Sequence, residues 1–188
     1  MKVSLKPFEV IDEKVLFEIP NRYQVIGSEL RTPENKIANW TYFKMKDIVI
    51  VLAMDNNRNV FLKTEWRLNR KDFLTEVVSG FVEYPDPTEE QIIATANKEL
   101  QEEIGYMANK ITKLKTLYLF NHLSSKAHFF LAEDLEKSTL ERDENELLDN
   151  HLLPFEEAYD YAINKQIPNA QVLIIFDLVR KYLEKHDN

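Results

Sequence analysis

The stretch that most constrains this chain is Gly80 to Tyr106, GFVEYPDPTEEQIIATANKELQEEIGY. Placed at 100° per residue, Ile92, Ile93, Ala96, Leu100 and Ile104 form one apolar stripe, the mark of a helix laid on a core. Thr88 followed by Gln91 fits a capping box, with Pro87 just before the cap. Glu89 and Glu90 occupy the first turn, where the helix dipole favours negative charge. Gly105 suits the residue that closes the last turn in the left-handed region. A strand-like run, Phe73 to Ser79, feeds into the segment, so the unit reads strand, loop, acidic helix. Glu99, Glu102 and Glu103 crowd the last turns, with Glu99 and Glu103 along one border of the stripe. Like charges three or four apart repel by roughly 0.2–0.5 kcal/mol per pair. No cation is inserted between them in the helix, so neutralising Glu103 should relieve repulsion. A hard divalent ion would turn the cluster into a site, since Mg²⁺ prefers oxygen ligands and is often shared with substrate phosphates. A plain solvated acidic helix is the alternative.

The pattern E-x7-K-E-L-x-E-E-x-G-Y resembles the signature of the Nudix hydrolases, G-x5-E-x7-R-E-U-x-E-E-x-G-U. Glu90, Glu99, Leu100, Glu102, Glu103, Gly105 and Tyr106 stand in register. Nine residues, rather than five, separate Gly80 from Glu90, a four-residue insertion containing Pro85 and Pro87. Lys98 replaces the usual arginine, giving a point charge in place of a bidentate fork. VFLKTEWR is similar to the strand ending in Q-Y-R of the ADP-ribose pyrophosphatase branch, and LTEVVSG to its E-L-P-A-G strand, with Glu76 at the acidic position. The segment FNHLSSKAHFFLA aligns loosely with a branch loop written S-P-G-x-S-x-E, without its proline, glycine and glutamate. FEEAYDYAINKQIPNAQVLIIFDL resembles the branch's two-helix ending, so the likeness spans roughly residues 40 to 184.

The resemblance implies an α/β (α+β) fold, a Nudix-type α/β/α sandwich with a mixed sheet and a β-rich N-terminal segment. Residues 1–40 would be a dimerising arm and 41–188 the hydrolase domain. It implies Glu99 and Glu103 as main metal ligands, Glu102 assisting, and the backbone carbonyl of Ser79 as a further ligand. Gly80 and Gly105 would shape the motif, and Glu90 would pair with Lys98 to hold the loop on the helix. Arg67 and Glu76 would face the substrate. The base that activates water would lie in the acidic loop Asp143 to Glu146, with Glu144 favoured and Glu146 next. The activity implied is Mg²⁺-dependent (Mn²⁺ possible) cleavage of a nucleoside diphosphate sugar, ADP-ribose first, to AMP and ribose 5-phosphate. GDP-mannose or another nucleotide sugar is the rival substrate, and a non-catalytic nucleotide sensor is the rival class. A small-molecule substrate and a homodimer complete the expectation.

Composition narrows the rest. The 188 residues suit one domain or one with a small appendage. A net charge of −8 argues against non-specific nucleic-acid binding, which needs a basic footprint. An anionic substrate must then be held by local cations or metal. The absence of cysteine excludes disulfide and thiol chemistry and fits a reducing cytoplasm. MKVSLKPFEVIDEK lacks the apolar core of a signal peptide, and Ile48 to Met54 is too short to span a bilayer, so no membrane role is expected. Strands are expected at Val15–Ile19, Tyr23–Ile26, Asn39–Met45, Asp47–Met54, Asn59–Trp66, Lys110–Phe120 and Ala127–Leu135. Lys137 to Leu148 reads as a charged loop, and two helices follow, Pro154 to Asn164 and one capped by Asn169. His122 and His128 are not at a zinc spacing, and Ser124 and Ser125 belong to a turn. Trp40, Tyr42, Phe43 and Trp66 are candidates for stacking on a base, or for the core.

Overall fold

The computed structural model describes residues 5–141, 147–164 and 170–186, and the chain divides into two compact units. The first comprises residues 1–46 and 118–126, the second 47–117 and 127–188.

The first unit is a meander of β1 (Glu9–Ile19), β2 (Tyr23–Arg31) and β3 (Ile37–Met45), all antiparallel. These strands run longer than the apolar patches that announced them, because pairing extends through Lys, Glu and Asn positions that carry little hydrophobic signal. The loop residue His122 holds the end of β3, its carbonyl accepting from the Phe43 amide at 2.8 Å. Phe8 and Trp40 pack their rings 5.3 Å apart, yet Trp40 stays 60% exposed.

The second unit is built on β4 (Ile48–Ala53), whose apolar run is buried on both faces as expected for a central strand. Around it the order is β7–β4–β9–β8, with β7 (Val78–Phe81), β8 (Tyr106–Tyr118) and β9 (Lys126–Lys137). β4 runs parallel to β9 and antiparallel to β7, so the sheet is mixed. One face meets α1 (Glu89–Glu103): Ile92, Ala96, Leu100 and Ile104 pack with Val49, Val51, Val78, Val82 and Phe130. The other face meets α3 (Ala170–His186), which buries Val172, Ile175, Phe176 and Val179 and packs on β4. α2 (Phe155–Asn164) leans on α3, with the Phe155 and Phe176 rings 5.5 Å apart. The result is an α/β/α sandwich. The cap expected from Asn169 lies outside the described residues.

A second sheet, β10–β5–β6, is formed by β5 (Asn59–Arg67), β6 (Asp72–Glu76) and β10 (Leu148–Pro154). Here the sequence reading needs two corrections. Phe73 to Ser79 is not one strand: Glu76 pairs with Lys63 of β5 and Val78 with Val51 of β4, so the chain changes sheets at Val77. Strand-like composition continues through FLTEVVS on both sides of that step and hides it. β10 was missed, since half its residues are exposed and its pairing with β5 is its main anchor.

Among the described residues, five other than glycine take positive φ, Asn21, Asn35, Arg58, Lys71 and Asp134. His128 is buried between Asp47 (3.0 Å) and Thr116 (3.1 Å), a histidine satisfied within the core rather than a metal ligand. Among the described residues no helix is long and apolar enough to cross a membrane.

Candidate active site

The helix begins and ends as its sequence dictates. Thr88 accepts from the Gln91 amide while the Gln91 side chain accepts from the Thr88 amide, a complete capping box. Gly105 has φ +77, which only glycine adopts without strain. Between these ends the apolar stripe fixes the roll of α1, and that roll turns Glu99 and Glu103 toward β7.

Glu103 is 2% exposed, deeper than a border position would suggest. Its Oε2 accepts the Ser79 backbone N–H at 3.2 Å, and its Oε1 accepts from the Lys63 ammonium. Lys63 is a residue that the sequence reading missed. It lies forty positions away in β5, and nothing within the helix could have announced it. Its side chain is 1% exposed and also sits 2.9 Å from Glu65 Oε2. Burial alone would lower the Lys63 pKa, but the Glu103 and Glu65 carboxylates outweigh it and hold the ammonium above the ordinary lysine value.

Glu99 lies against Gly80. A Cβ added there would stand 2.0 Å from Glu99 Cδ and 2.1 Å from Oε1, so the missing side chain of Gly80 is the space the carboxylate fills. Gly80 is therefore a strand residue kept small for a neighbour, not a loop residue.

Glu102 points outward and pairs with Lys98 at 2.7 Å. That corrects the expected Glu90–Lys98 pair: eight residues along a helix is a rise of about 12 Å, beyond a lysine's reach, whereas Glu102 is one turn away. Glu90 instead stays exposed at the cap, its carboxyl held below the ordinary value by its own backbone N–H and the Thr88 hydroxyl.

Strand alternation places Lys63, Glu65 and Arg67 on one face of β5 and Trp66 on the other, where it meets Phe73 edge-on at 5.4 Å. Trp66 remains 42% exposed, so it is neither core nor beside the glutamates. Arg67 and Glu76 come together as a pair, Nε donating to Oε2 at 3.0 Å, while Arg67 Nη1 lies 2.7 Å from Glu65 Oε1. Burial would lower the arginine's pKa, but Glu76, Glu65 and Glu103 raise it further. Asn150 of β10 closes the end of α1 by donating to the Glu103 carbonyl at 2.8 Å. Its Oδ1 is buried without a hydrogen-bond partner among the described residues. Glu144 and Glu146 lie outside the described residues.

The donor set suits a hard divalent cation in type: three carboxylates on one helix, beside a strand whose backbone and missing Cβ make room for them. In this arrangement the carboxylates are turned to Lys63, Lys98 and the Ser79 amide. Among the described residues no three acidic or histidine side chains are gathered into a ligand shell.

Comparisons with known proteins bear on the family and the fold. The NUDIX domain profile matches residues 28–173. The chain is 30% identical over 173 residues to the ADP compounds hydrolase NudE of Escherichia coli (strain K12), covering 92% of this chain and 84% of that protein. It is 26% identical over 146 residues to the ADP-ribose pyrophosphatase of Bacillus subtilis (strain 168), covering 76% and 77%. A crystal structure of an ADP compounds hydrolase superposes with a TM-score of 0.83 at 21% identity, covering 98% of each chain. Nudix hydrolases generally use divalent cations. A helix bearing the Nudix glutamates in register, on a sandwich matched over most of its length, makes this chain a member of the Nudix family and a hydrolase.

Proposed function

We propose that this hydrolase cleaves the pyrophosphate bond of a nucleoside diphosphate joined to a sugar, with ADP-ribose as first substrate and AMP and ribose 5-phosphate as products. The observation that carries the reading is the convergence of Glu99 and Glu103 on Ser79 and Gly80 of β7, with Arg67 on the adjoining sheet. Glu99, Glu103, Glu102 and the Ser79 carbonyl would hold Mg²⁺, with Mn²⁺ as substitute. Bound there, the cation supplies charge neutralisation at the diphosphate and a bound water of lowered pKa.

The protein's own part is positioning. Arg67 spends three N–H groups on Glu65 and Glu76, which aim the guanidinium and leave two of an arginine's five donors for an anion. Glu76 thereby orients the arginine more than it touches substrate. Glu144 is the favoured base to take the proton from water, and Glu146 the next. The names of the two curated relatives, an ADP-ribose pyrophosphatase and an ADP compounds hydrolase, favour an adenosine diphosphate substrate over GDP-mannose. The retained glutamates favour turnover over a sensor. We take the protein to be a cytoplasmic homodimer. β1 supports the dimer, for among the described residues it pairs only with β2 yet exposes Val10, Ile11, Val15, Leu16 and Phe17 across both its faces.

A turnover screen of nucleoside diphosphate sugars with Mg²⁺, products identified by mass, tests this. AMP from ADP-ribose is expected, with activity abolished by EDTA and restored by Mg²⁺ or Mn²⁺. Undiminished turnover in chelator would remove the metal from the mechanism. With the substrate fixed, Glu144→Gln should lower kcat about 10²–10⁴-fold with little change in binding, and Glu146→Gln should be near silent. The reverse pattern would move the base two residues on.

A further inference from the structure

We propose that Lys63 is the standing counter-cation of the glutamate cluster: its ammonium fills the charge position at Glu103 that an additional divalent ion would otherwise take. It thus sets how tightly, and how many, divalent ions the cluster binds. The inference rests on the reading that the α1 glutamates hold metal.

Lysine is rarely buried to this degree unless paired, and this one is paired twice, with Glu103 and with Glu65. Glu103 in turn has both oxygens engaged, one by Lys63 and one by the Ser79 amide. Charges then alternate from α1 across β5 to β6: Glu103, Lys63, Glu65, Arg67, Glu76. Within this row three carboxylates face two cations, a net charge of −1. Without Lys63 the same row would carry a deficit of two, the charge of one divalent ion. A divalent ion brought to Glu103 must approach a fixed like charge only a few ångströms away, in a place shielded from water. The backbone that carries Lys63 is held on both sides, with Glu76 of β6 and Asn150 of β10 opposite it in register, and the buried ammonium itself is held by Glu103 and Glu65.

Lys63→Gln and Lys63→Met test this, the first keeping a donor toward Glu103 and both removing the charge. Mn²⁺ binding without substrate is counted from the electron paramagnetic resonance signal of free Mn²⁺, and melting temperatures are taken with and without Mn²⁺. Removing a like charge should tighten Mn²⁺ binding at least about tenfold, or add one ion per chain. The metal-free variants should melt below the wild type and gain more from Mn²⁺ than it does. Lys63→Arg, which keeps the charge, should bind Mn²⁺ like the wild type even if the neutral variants fold only with metal. A wild type that binds Mn²⁺ with the same constant and number as both neutral variants overturns the role of Lys63 and leaves the metal site standing. Lys63→Arg binding as tightly as Lys63→Gln also overturns it. A wild type that binds no Mn²⁺ while Lys63→Gln does would support it. If neither binds, the metal reading and the role of Lys63 fall together.

Discussion

α1 meets two sheets in two different ways. Toward β4 and Val78 of β7 the contact is apolar and dry, with Val49, Val51, Val78, Ala96 and Leu100 at or near zero exposure, while Ser79 and Gly80 of β7 meet the glutamates. At its C-terminal end it meets β5 through charge, Glu103 against Lys63 and Glu65. The first contact gains about 1.5–3 kcal/mol for each large side chain buried. The second removes charges from water and recovers that cost only while every partner is present. One helix is thus anchored by its stripe and tied to a charged row by its border, and the two can be broken separately.

Glu103→Gln should have the largest effect. Changing a residue that merely supports a metal ligand costs about 10–100-fold, so loss of a ligand's charge should exceed about 100-fold in kcat. The melting temperature without metal should fall, because Lys63 loses a partner; breaking a buried pair costs about 3–5 kcal/mol. This reverses the expectation drawn from the helix alone, where removing a glutamate only relieves repulsion. A metal-free protein that melts higher would restore the simpler picture. Leu100→Ala attacks the dry contact, and about 2–5 kcal/mol of unfolding free energy should be lost. Mn²⁺ binding by the folded fraction should persist; its loss would show that the two contacts are not separable.

A pH series sharpens the charged side. The folded pKa of Lys63 is raised above its unfolded value. Its contribution is therefore complete below the unfolded value of about 10.4, and is lost as pH rises through the folded pKa. In metal-free buffer the stability gap between wild type and Lys63→Gln should hold from neutral pH to about pH 10 and then close. A gap unchanged at higher pH would mean that packing, not charge, accounts for it. Thr88→Ala touches neither contact directly and should cost about 1 kcal/mol, read by chemical denaturation.

What the sequence reveals and what it hides follows the same division. The stripe, the capping box and the closing glycine of α1 are local, so they are legible at fixed spacing, and the sandwich follows from them with the buried run of β4. The glutamates are legible because a motif keeps them in register. Lys63 is not, since pairing across forty residues leaves no periodic trace, and a lysine in a strand reads as solvent-facing. The sheet change at Val77 is hidden for a related reason: Val77 and Val78 have the same strand-like composition whichever sheet they join.

The turns carry a last consequence, for engineering. With only three glycines in the chain, left-handed corners fall to asparagine, aspartate, arginine and lysine. Asparagine tolerates that geometry, but a long side chain there gives up roughly 1–2 kcal/mol to steric conflict. Arg58 (φ 61), in the turn before β5, and Lys71 (φ 54), in the turn between β5 and β6, are thus latent points of improvement. Glycine at either would exchange that conflict for a smaller loss of roughly 0.5–1 kcal/mol in backbone freedom. The Lys71 amide donates to the Arg67 carbonyl at 2.8 Å, so a change at that corner is felt by the arginine proposed to meet substrate, and a gain in thermostability there is to be read together with KM.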